Sequence, residues 1–508
     1  MVETNKELKD SDVVHLDYQS FRGLKEEKTI SFLGIPFAAP PVGILRFKPP
    51  VKPLKTTKIT NATEFKDACL QKLFGRVYRP EQKFSEDCLY LNVFAPSNAR
   101  KLPVLVYIYG GSFMNGLGST QVTGKCHGRN ILKKNNSVII VTFNYRLNIF
   151  GFLGGSEIAK EGSGNAGLLD QAAALRWVRQ HIEKFGGDNG NITVMGQSAG
   201  AISLGAHLIS QNGNQDLFDR AIFLSGSPSL SMKYIQELDK DYSSIGKAFN
   251  CSENVLSCLR KVDPLALLQK SANYSFGLSI DGLYIKTNTI EALSTGQFSR
   301  IPILVNAMPN EGSIFTYGVG IDTDTAALEQ MVKLHPSLTN ATVNKYYPSS
   351  SNVQPWARYG DFFGDFIFNC GEKLLVDSYA KSGLKVYKSV INHVPVDTSY
   401  IKTWWPETNT ELASKDLGAY HGSEVPLIWQ YHEGIASTEI NQSSKVLTYI
   451  SQFSIGQNKE SEWPTYDLAK KFTFDMASGD PFDAPNLNTK CDFIVKVISD
   501  YYQEKSLE

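Results

Sequence analysis

The chain has 508 residues, of which 42% are hydrophobic and 11% aromatic, which is ample apolar material for a large core. Its 51 basic and 51 acidic residues give a formal net charge of zero, and no basic run or tail favours nucleic acid as a partner. It contains no apolar stretch of about 18 residues, so we expect no membrane-spanning helix. The first ten residues are polar, unlike a signal peptide.

The first third of the chain predicts several strands. Residues 29–50 open as a strand and become rich in proline after Ile35, which predicts an irregular packed loop. Residues 86–94 end in the apolar and polar alternation of a strand, and the apolar runs 103–109 and 137–143 predict buried strands.

The run 103–109 leads directly into Gly110, Gly111 and Ser112. Two glycines after a buried strand leave backbone N–H groups free to face a ligand. In Gly-x-Ser-x-Gly enzymes this is where the second part of an oxyanion hole lies. Taken alone, the same residues also fit an ordinary glycine turn.

The most informative stretch is Gly196-Gln197-Ser198-Ala199-Gly200, a Gly-x-Ser-x-Gly sequence. An apolar run over 192–195 precedes it and a helix-compatible run over 199–208 follows it, as the nucleophile-elbow motif requires. Such a turn presents the hydroxyl of Ser198 to a substrate and sets the N–H of Ala199 beside it, where the N–H can stabilise an oxyanion. Glycines on both sides let the strand and helix approach closely.

The remaining pattern predicts the fold class. A helix over 168–185 stops at two glycines, and further strands are predicted at 220–225, 301–306 and 384–391, with a terminal helix over 492–502. This alternation predicts an α/β fold with a large, mostly parallel central sheet and helices on both faces. The polar, helix-like segment of about 230–300 is interpreted as a cap insertion, and we expect one domain over residues 1–508.

A serine nucleophile needs a base and a carboxylate that orients the base, here in the chain order Ser, acid, His. Glu311 follows a predicted strand and is a candidate acid, although most loop glutamates are simply solvated. Among the histidines after Glu311, His393 follows a strand directly and His421 lies in a glycine-flanked loop. Pattern alone does not separate these two.

Several motifs resemble the type-B carboxylesterase/lipase family, which includes the cholinesterases and has the α/β-hydrolase fold. They are spread over about residues 29–500, and the resemblance rests on 34–43 with Arg46-Phe47, 85–92, 144–147, 164–171, 185–188 with Ile192-Thr193, and 196–200. Together they form a highly specific signature.

The resemblance implies a triad of Ser198, Glu311 and His421, with His393 at a position that is not catalytic. It also implies an oxyanion hole formed by the amides of Gly111, Ser112 and Ala199. The family usually has a third glycine where this chain has Ser112, which keeps the N–H donor and adds a side chain. Ser225 and Gln197 match positions beside the triad.

Seven cysteines and seven Asn-x-Ser/Thr sequons occur. By the resemblance, the disulfides are Cys69–Cys88, Cys251–Cys258 and Cys370–Cys491, which leaves Cys126 as a free thiol. Paired cysteines and sequons imply the secretory-pathway lumen or secretion, with the polar start interpreted as a processed end.

The resemblance also bears on the substrate. Cholinesterases hold quaternary ammonium on a Trp where this chain has Tyr78, and they carry an acid where it has Gln197. We therefore expect a serine carboxylesterase for small-molecule esters, without a cofactor or metal and with choline esters as poor substrates. The alternatives are a lipase acting on acylglycerols and a non-catalytic adhesion or scaffold member of the same fold.

Overall fold

The computed structural model describes residues 12–71, 82–118, 128–134, 136–162, 164–210, 217–396, 416–429, 436–458, 463–482 and 487–506. The chain divides into two compact units. The first unit comprises Met1–Val194, Asp216–Asp219 and Tyr234–Ser279, and the second comprises Met195–Gln215, Arg220–Lys233 and Ile280–Glu508.

The strands follow the predicted apolar runs, with short additional strands between them. They are β1 Val13–His15, β2 Ser20–Glu26, β3 Thr29–Pro36, β4 Ile59–Ala62, β5 Ala68–Cys69, β6 Phe84–Ser85, β7 Tyr90–Pro96, β8 Leu102–Ile108, β9 Ile139–Phe143, β10 Gly187–Gln197, β11 Arg220–Leu224, β12 Lys233–Tyr234, β13 Ser279–Ile280, β14 Ile303–Ala307, β15 Val386–Val390 and β16 Phe474–Asp475.

Helices occupy most of the intervals between the later strands. They are α1 Gly128–Lys134, α2 Asn148–Phe152, α3 Ser156–Lys160, α4 Ala166–His181, α5 Ala199–Ile209, α6 Asp239–Ala248, α7 Val255–Leu259, α8 Pro264–Lys270, α9 Thr289–Ser294, α10 Ser313–Thr316, α11 Asp324–Lys333, α12 Asn340–Tyr346, α13 Pro355–Gly364, α14 Cys370–Lys381, α15 Glu424–Trp429, α16 Ile440–Ser454 and α17 Leu487–Lys505. Short 3₁₀ turns lie at Gly43–Leu45, Ile182–Phe185, Ile235–Leu238 and Ser437–Glu439. None of the helices in the described part of the chain is long and apolar enough to cross a membrane.

The first unit contains strands in the order β1-β2-β3-β7-β9-β8, followed by the first part of β10, with β4 beside β2. The pairs from β1 through β7 to β9 are antiparallel, whereas β8 and β9 are parallel, with Val106 opposite Val141. The pattern had predicted a mostly parallel sheet and gave no sign of these antiparallel strands. Hairpin-length connections such as the one between β2 and β3 permit only antiparallel pairing.

Two arginines of the recognised motifs anchor the first unit through buried ion pairs. Arg46 binds Glu86 through two hydrogen bonds of 2.6 and 2.7 Å and also donates to the carbonyls of Leu259 and Val262. Arg146 binds Asp170 on α4 through two hydrogen bonds of 2.7 Å. Burying such charges is costly unless every charge is matched, so these motif residues serve the architecture of the unit.

The second unit contains β11, β14, β15 and β16 in that order, and every pair is parallel. Leu224 lies opposite Asn306, Asn306 lies opposite Ser389, and Ser389 lies opposite Phe474. The carboxyl ends of these strands therefore meet at one edge, and ligand sites of open α/β sheets lie outside that edge. The parallel sheet with intervening helices confirms the predicted α/β class.

A long helical segment between β14 and β15 contains a π turn, Asp365–Asn369, between α13 and α14. A π turn adds a residue to the helical ladder and changes the face on which the following side chains lie. The sequence had suggested no such irregularity.

The three disulfides implied by the resemblance are present: Cys69–Cys88, Cys251–Cys258 and Cys370–Cys491. They lie 19, 7 and 121 residues apart, respectively. Cys126, predicted as a free thiol, lies outside the described residues.

We predict that the paired substitution Cys370→Ser with Cys491→Ser destabilises the protein more than Cys251→Ser with Cys258→Ser. In the loop-entropy description, closing the longer loop stabilises by about 5 kcal/mol and closing the shorter one by about 2 kcal/mol. Urea unfolding of both variants tests this ranking, and peptide mapping without reduction tests the pairing. Equal losses, or a Cys126 bridge to any of the six, would contradict the prediction.

Candidate active site

The Gly-x-Ser-x-Gly stretch forms a sharp strand-to-helix turn in the second unit. Ser198 stands between the end of β10 and the first residue of α5, with φ 55° and ψ −125°. This left-handed conformation is strained for a residue other than glycine. The Ser198 N–H donates to the carbonyl of Leu224 at 2.9 Å, and its hydroxyl makes no capping hydrogen bond to α5. The turn therefore leaves the hydroxyl available for another role.

The first glycine of the motif, Gly196, is required by space, as the sequence predicted. A Cβ at Gly196 would lie 2.5 Å from the carbonyl oxygen of Gly200. Real Cβ contacts are essentially never so short, so any larger residue would push the strand and the helix apart. Ala199 is the first residue of α5, where an N–H has no partner within the helix.

Glu311 and His421 are in direct contact, although 110 residues separate them. The distance from His421 Nδ1 to Glu311 Oε2 is 2.6 Å, and Glu311 Oε1 accepts the Met308 N–H at 2.7 Å. Both residues are buried, with 2% of His421 and 1% of Glu311 exposed. With Nδ1 donating to the carboxylate, the neutral imidazole carries its lone pair on Nε2, the tautomer that a general base needs.

Asn310 joins the two loops that carry these residues. Its N–H donates to the carbonyl of Ala419, and its Oδ1 accepts the N–H of Ala419, both at 3.1 Å. The hydroxyl of Ser313 also donates to the carbonyl of Leu417 at 2.8 Å. These bonds fix the loops in register, so the contact between Glu311 and His421 does not depend on one hydrogen bond alone.

Two aromatic side chains pack against the imidazole of His421. Phe368, from the π turn, stacks on it with a centroid distance of 4.4 Å, and Phe315 lies at 5.1 Å. These two contacts restrict rotation of the imidazole ring and keep water away from it. Sequence reasoning gave no role to Phe315 or Phe368, because a phenylalanine in a helix usually indicates core packing.

A second buried glutamate, Glu424 at the start of α15, lies beside this pair. The hydroxyl of Ser225 donates to its Oε1 at 3.5 Å, whereas Oε2 has no hydrogen-bond partner among the described residues. Burial raises the pKa of Glu424 to about 7; the nearby His421 and Gln197 oppose this shift and Glu311 adds to it. Gln197 and Ser225 thus both lie beside a carboxyl group that the sequence pattern did not single out.

The predicted oxyanion residues Gly111 and Ser112 lie in the first unit, directly after β8. Gly111, Ser112 and Phe113 have φ of 124°, 55° and 60°. A Cβ at Gly111 would lie 2.1 Å from the carbonyl oxygen of Asn115, so only glycine fits there. Three successive residues with positive φ form a strained loop, and strain of this kind is concentrated at functional sites.

The competing histidine, His393, has a different partner. Its Nε2 lies 2.6 Å from Glu439 Oε1, and Glu439 also accepts the N–H of Val396. Of the two candidates that the pattern left open, the structure brings His421 to Glu311. Tyr78, the residue predicted to contact the substrate, lies outside the described residues.

Comparisons with known proteins show the family to which the chain belongs. A family model described as "Carboxylesterase family" matches residues 10–494. The chain is 32% identical to an acetylcholinesterase of Bungarus fasciatus, over 87% of this chain and 78% of that protein. It is 30% identical to a fumonisin B1 esterase of Sphingopyxis macrogoltabida, over 86% of this chain and 81% of that protein.

A solved structure, EstA of Aspergillus niger, is also similar, with a TM-score of 0.82 and 26% identity, covering 96% of this chain and 98% of that one. The fold and these relatives define a carboxylic ester hydrolase of the α/β-hydrolase fold that acts on small-molecule esters. The chain belongs to the carboxylesterase family, as the motifs had indicated.

We predict that Glu424→Gln raises the free energy of unfolding, relative to that of the wild type, more at pH 8 than at pH 5. The pKa of Glu424 is raised above its unfolded value, so its protonated form stabilises the native state fully below about pH 4.5. That stabilisation is lost as the pH rises to about 7 and amounts to about 3 kcal/mol. Glutamine does not titrate, so urea unfolding at the two pH values should show the variant gaining on the wild type.

Glu439→Gln is the matched control with the opposite sign. Burial acts to raise the pKa of Glu439, but hydrogen bonds from His393, Val396 and Ala436 outweigh burial and lower it. Its ionised form therefore stabilises the native state at neutral pH, and the control should be less stable than the wild type at pH 8. Parallel pH dependence of the two variants would contradict the assignment of Glu424.

Proposed function

We propose that the protein is a serine carboxylesterase that works through an acyl-enzyme, with Ser198, His421 and Glu311 as its triad. The contact of 2.6 Å between Glu311 and His421 carries this proposal, because a carboxylate bound to Nδ1 orients the imidazole and stabilises its protonated form. The strained Ser198 and its uncommitted hydroxyl support the role of nucleophile.

In the proposed reaction the Ser198 oxygen attacks the ester carbonyl while Nε2 of His421 takes the hydroxyl proton. The N–H groups of Gly111, Ser112 and Ala199, assigned by the family resemblance, stabilise the oxyanion of the tetrahedral intermediate. The imidazolium then gives its proton to the departing alcohol. A water molecule, deprotonated by His421, attacks the acyl-enzyme, which releases the carboxylic acid and restores Ser198.

The same proposal covers the setting of the enzyme. One catalytic domain over residues 1–508 fits the family match over 10–494. Three disulfides suit an oxidising compartment, so we place the protein in the secretory-pathway lumen or outside the cell.

We predict that Ser198→Ala lowers kcat for a short-chain aryl ester by at least about 10⁴-fold, because no other group replaces the nucleophile. Mass spectrometry after organophosphate treatment should find the label on Ser198 of the wild type. Ser203→Ala is the control. Ser203 is a buried serine of α5, the helix that follows Ser198, and its hydroxyl donates to the carbonyl of Ala199 at 2.8 Å. Label on another serine, or activity retained in Ser198→Ala, would refute the assignment.

We also predict that choline esters are poorer substrates than uncharged esters of the same shape. Gln197 supplies no negative charge, and Tyr78 presents a weaker cation–π surface than Trp. At a desolvated site, a cation–π interaction contributes about 2 kcal/mol to binding. The measurement is kcat/KM for a choline ester and its uncharged isostere, with Gln197→Glu expected to shift the ratio towards choline. Because the chain is similar to an acetylcholinesterase, a preference for choline esters is the competing hypothesis. A kcat/KM at least tenfold higher for the charged ester would establish that preference.

A further inference from the structure

A cavity of about 290 Å³ lies against Glu311 in the second unit. Its charged lining consists of Glu311, Asp361, Asp365, Glu372, Lys388 and Lys490. Glu372, on α14, is 1% exposed, and Lys388 projects from β15. The reaction proposed above gives neither residue a task, although burying a glutamate and a lysine in a protein is costly.

Glu372 is tied to the backbone that supports Ser198. Its Oε1 accepts the N–H of Gly226 at 2.8 Å. A Cβ at Gly226 would lie 2.9 Å from the carbonyl oxygen of Ser198 and from Cβ of Ala201, so Gly226 packs closely against the elbow. Removing the acceptor would therefore loosen a segment in contact with the strained serine.

The preceding residue on α14 makes this packing tighter. A Cβ at Gly371 would lie 2.3 Å from Oγ of Ser227, so the helix approaches the 225–227 segment as closely as a glycine permits. Ser225 is held from the other side, because its N–H donates to the carbonyl of Asn306 at 2.8 Å. The segment thus has fixed contacts on two sides, and Glu372 supplies the one that is made to the Gly226 N–H.

The charges around this segment are unevenly balanced. Burial and the neighbouring carboxyls of Glu311 and Glu424 raise the pKa of Glu372 well above its ordinary value, against the opposing effects of Lys388 and the Gly226 N–H. Burial lowers the pKa of Lys388, whereas Glu372 and Asp377 raise it. The other charged or titratable groups near these residues are His421, Lys373, Lys471, Asp361, Asp365 and Lys490.

We propose that Glu372 is a positioning residue of the proposed ester hydrolase site. By accepting the Gly226 N–H, its carboxyl group holds Gly226 against the Ser198 elbow. This inference rests on the proposed triad and adds a residue that the motifs do not contain.

The test of Glu372 compares Glu372→Gln with Glu372→Leu in the hydrolysis of an uncharged aryl ester. Glutamine keeps a carbonyl oxygen that can accept the Gly226 N–H, so kcat should stay within about threefold. Leucine removes the acceptor, and kcat per titrated site should fall at least about tenfold with little change in KM. If Glu372→Leu does not fold, Glu372→Gln decides alone.

Two results would overturn the role of Glu372. A kcat lowered tenfold or more in Glu372→Gln would mean that an acceptor oxygen at this position does not suffice. Full kcat per titrated site in Glu372→Leu with a lowered Tm would mean that the residue serves stability only. Failure of the triad itself would be seen separately, as an unlabelled Ser198 in the wild-type enzyme.

Discussion

The pairing of two distant loops through Asn310 is the constraint on which the candidate site depends. One asparagine bonds the backbone of Ala419 in both directions, and Ser313 adds a bond to Leu417. Closing a loop of this length has a large entropic cost, so a single carboxylate–imidazole contact would not hold it in one geometry. Because three hydrogen bonds to the backbone of residues 417–419 join the loops, Glu311 and His421 meet with their side chains already aligned.

The second requirement is that strain at Ser198 be offset by its surroundings. The serine keeps a left-handed backbone because its N–H is bound to Leu224 and because Gly196 and Gly226 leave no space into which the turn could relax. Strain of about 1–3 kcal/mol persists only where neighbouring structure over-determines it. The parallel strands β11 and β14 supply that rigid frame, which links the sheet to the chemistry.

The sequence predicted those parts that depend on local pattern. Apolar runs located β8, β9, β11, β14 and β15, and the Gly-x-Ser-x-Gly context located the elbow. It left His393 and His421 open, because only tertiary contact shows that His393 meets Glu439 and His421 meets Glu311. Phe368 and Glu372 escaped notice for the same reason, since a π turn and a buried carboxyl leave no periodic signal.

The three buried carboxyl groups of this region, those of Glu311, Glu372 and Glu424, differ in their hydrogen bonds. Both oxygens of Glu311 have donors, from Met308 and His421. Among the described residues, one oxygen of Glu424 has no partner, and Glu372 accepts the Gly226 N–H. Like charges in a low-dielectric interior do not all ionise together. Burial raises the pKa values of Glu372 and Glu424, and the neighbouring carboxyl groups raise them further. One negative charge beside His421 stabilises an imidazolium formed during reaction, while three would hold the imidazole protonated and remove the base that the reaction needs.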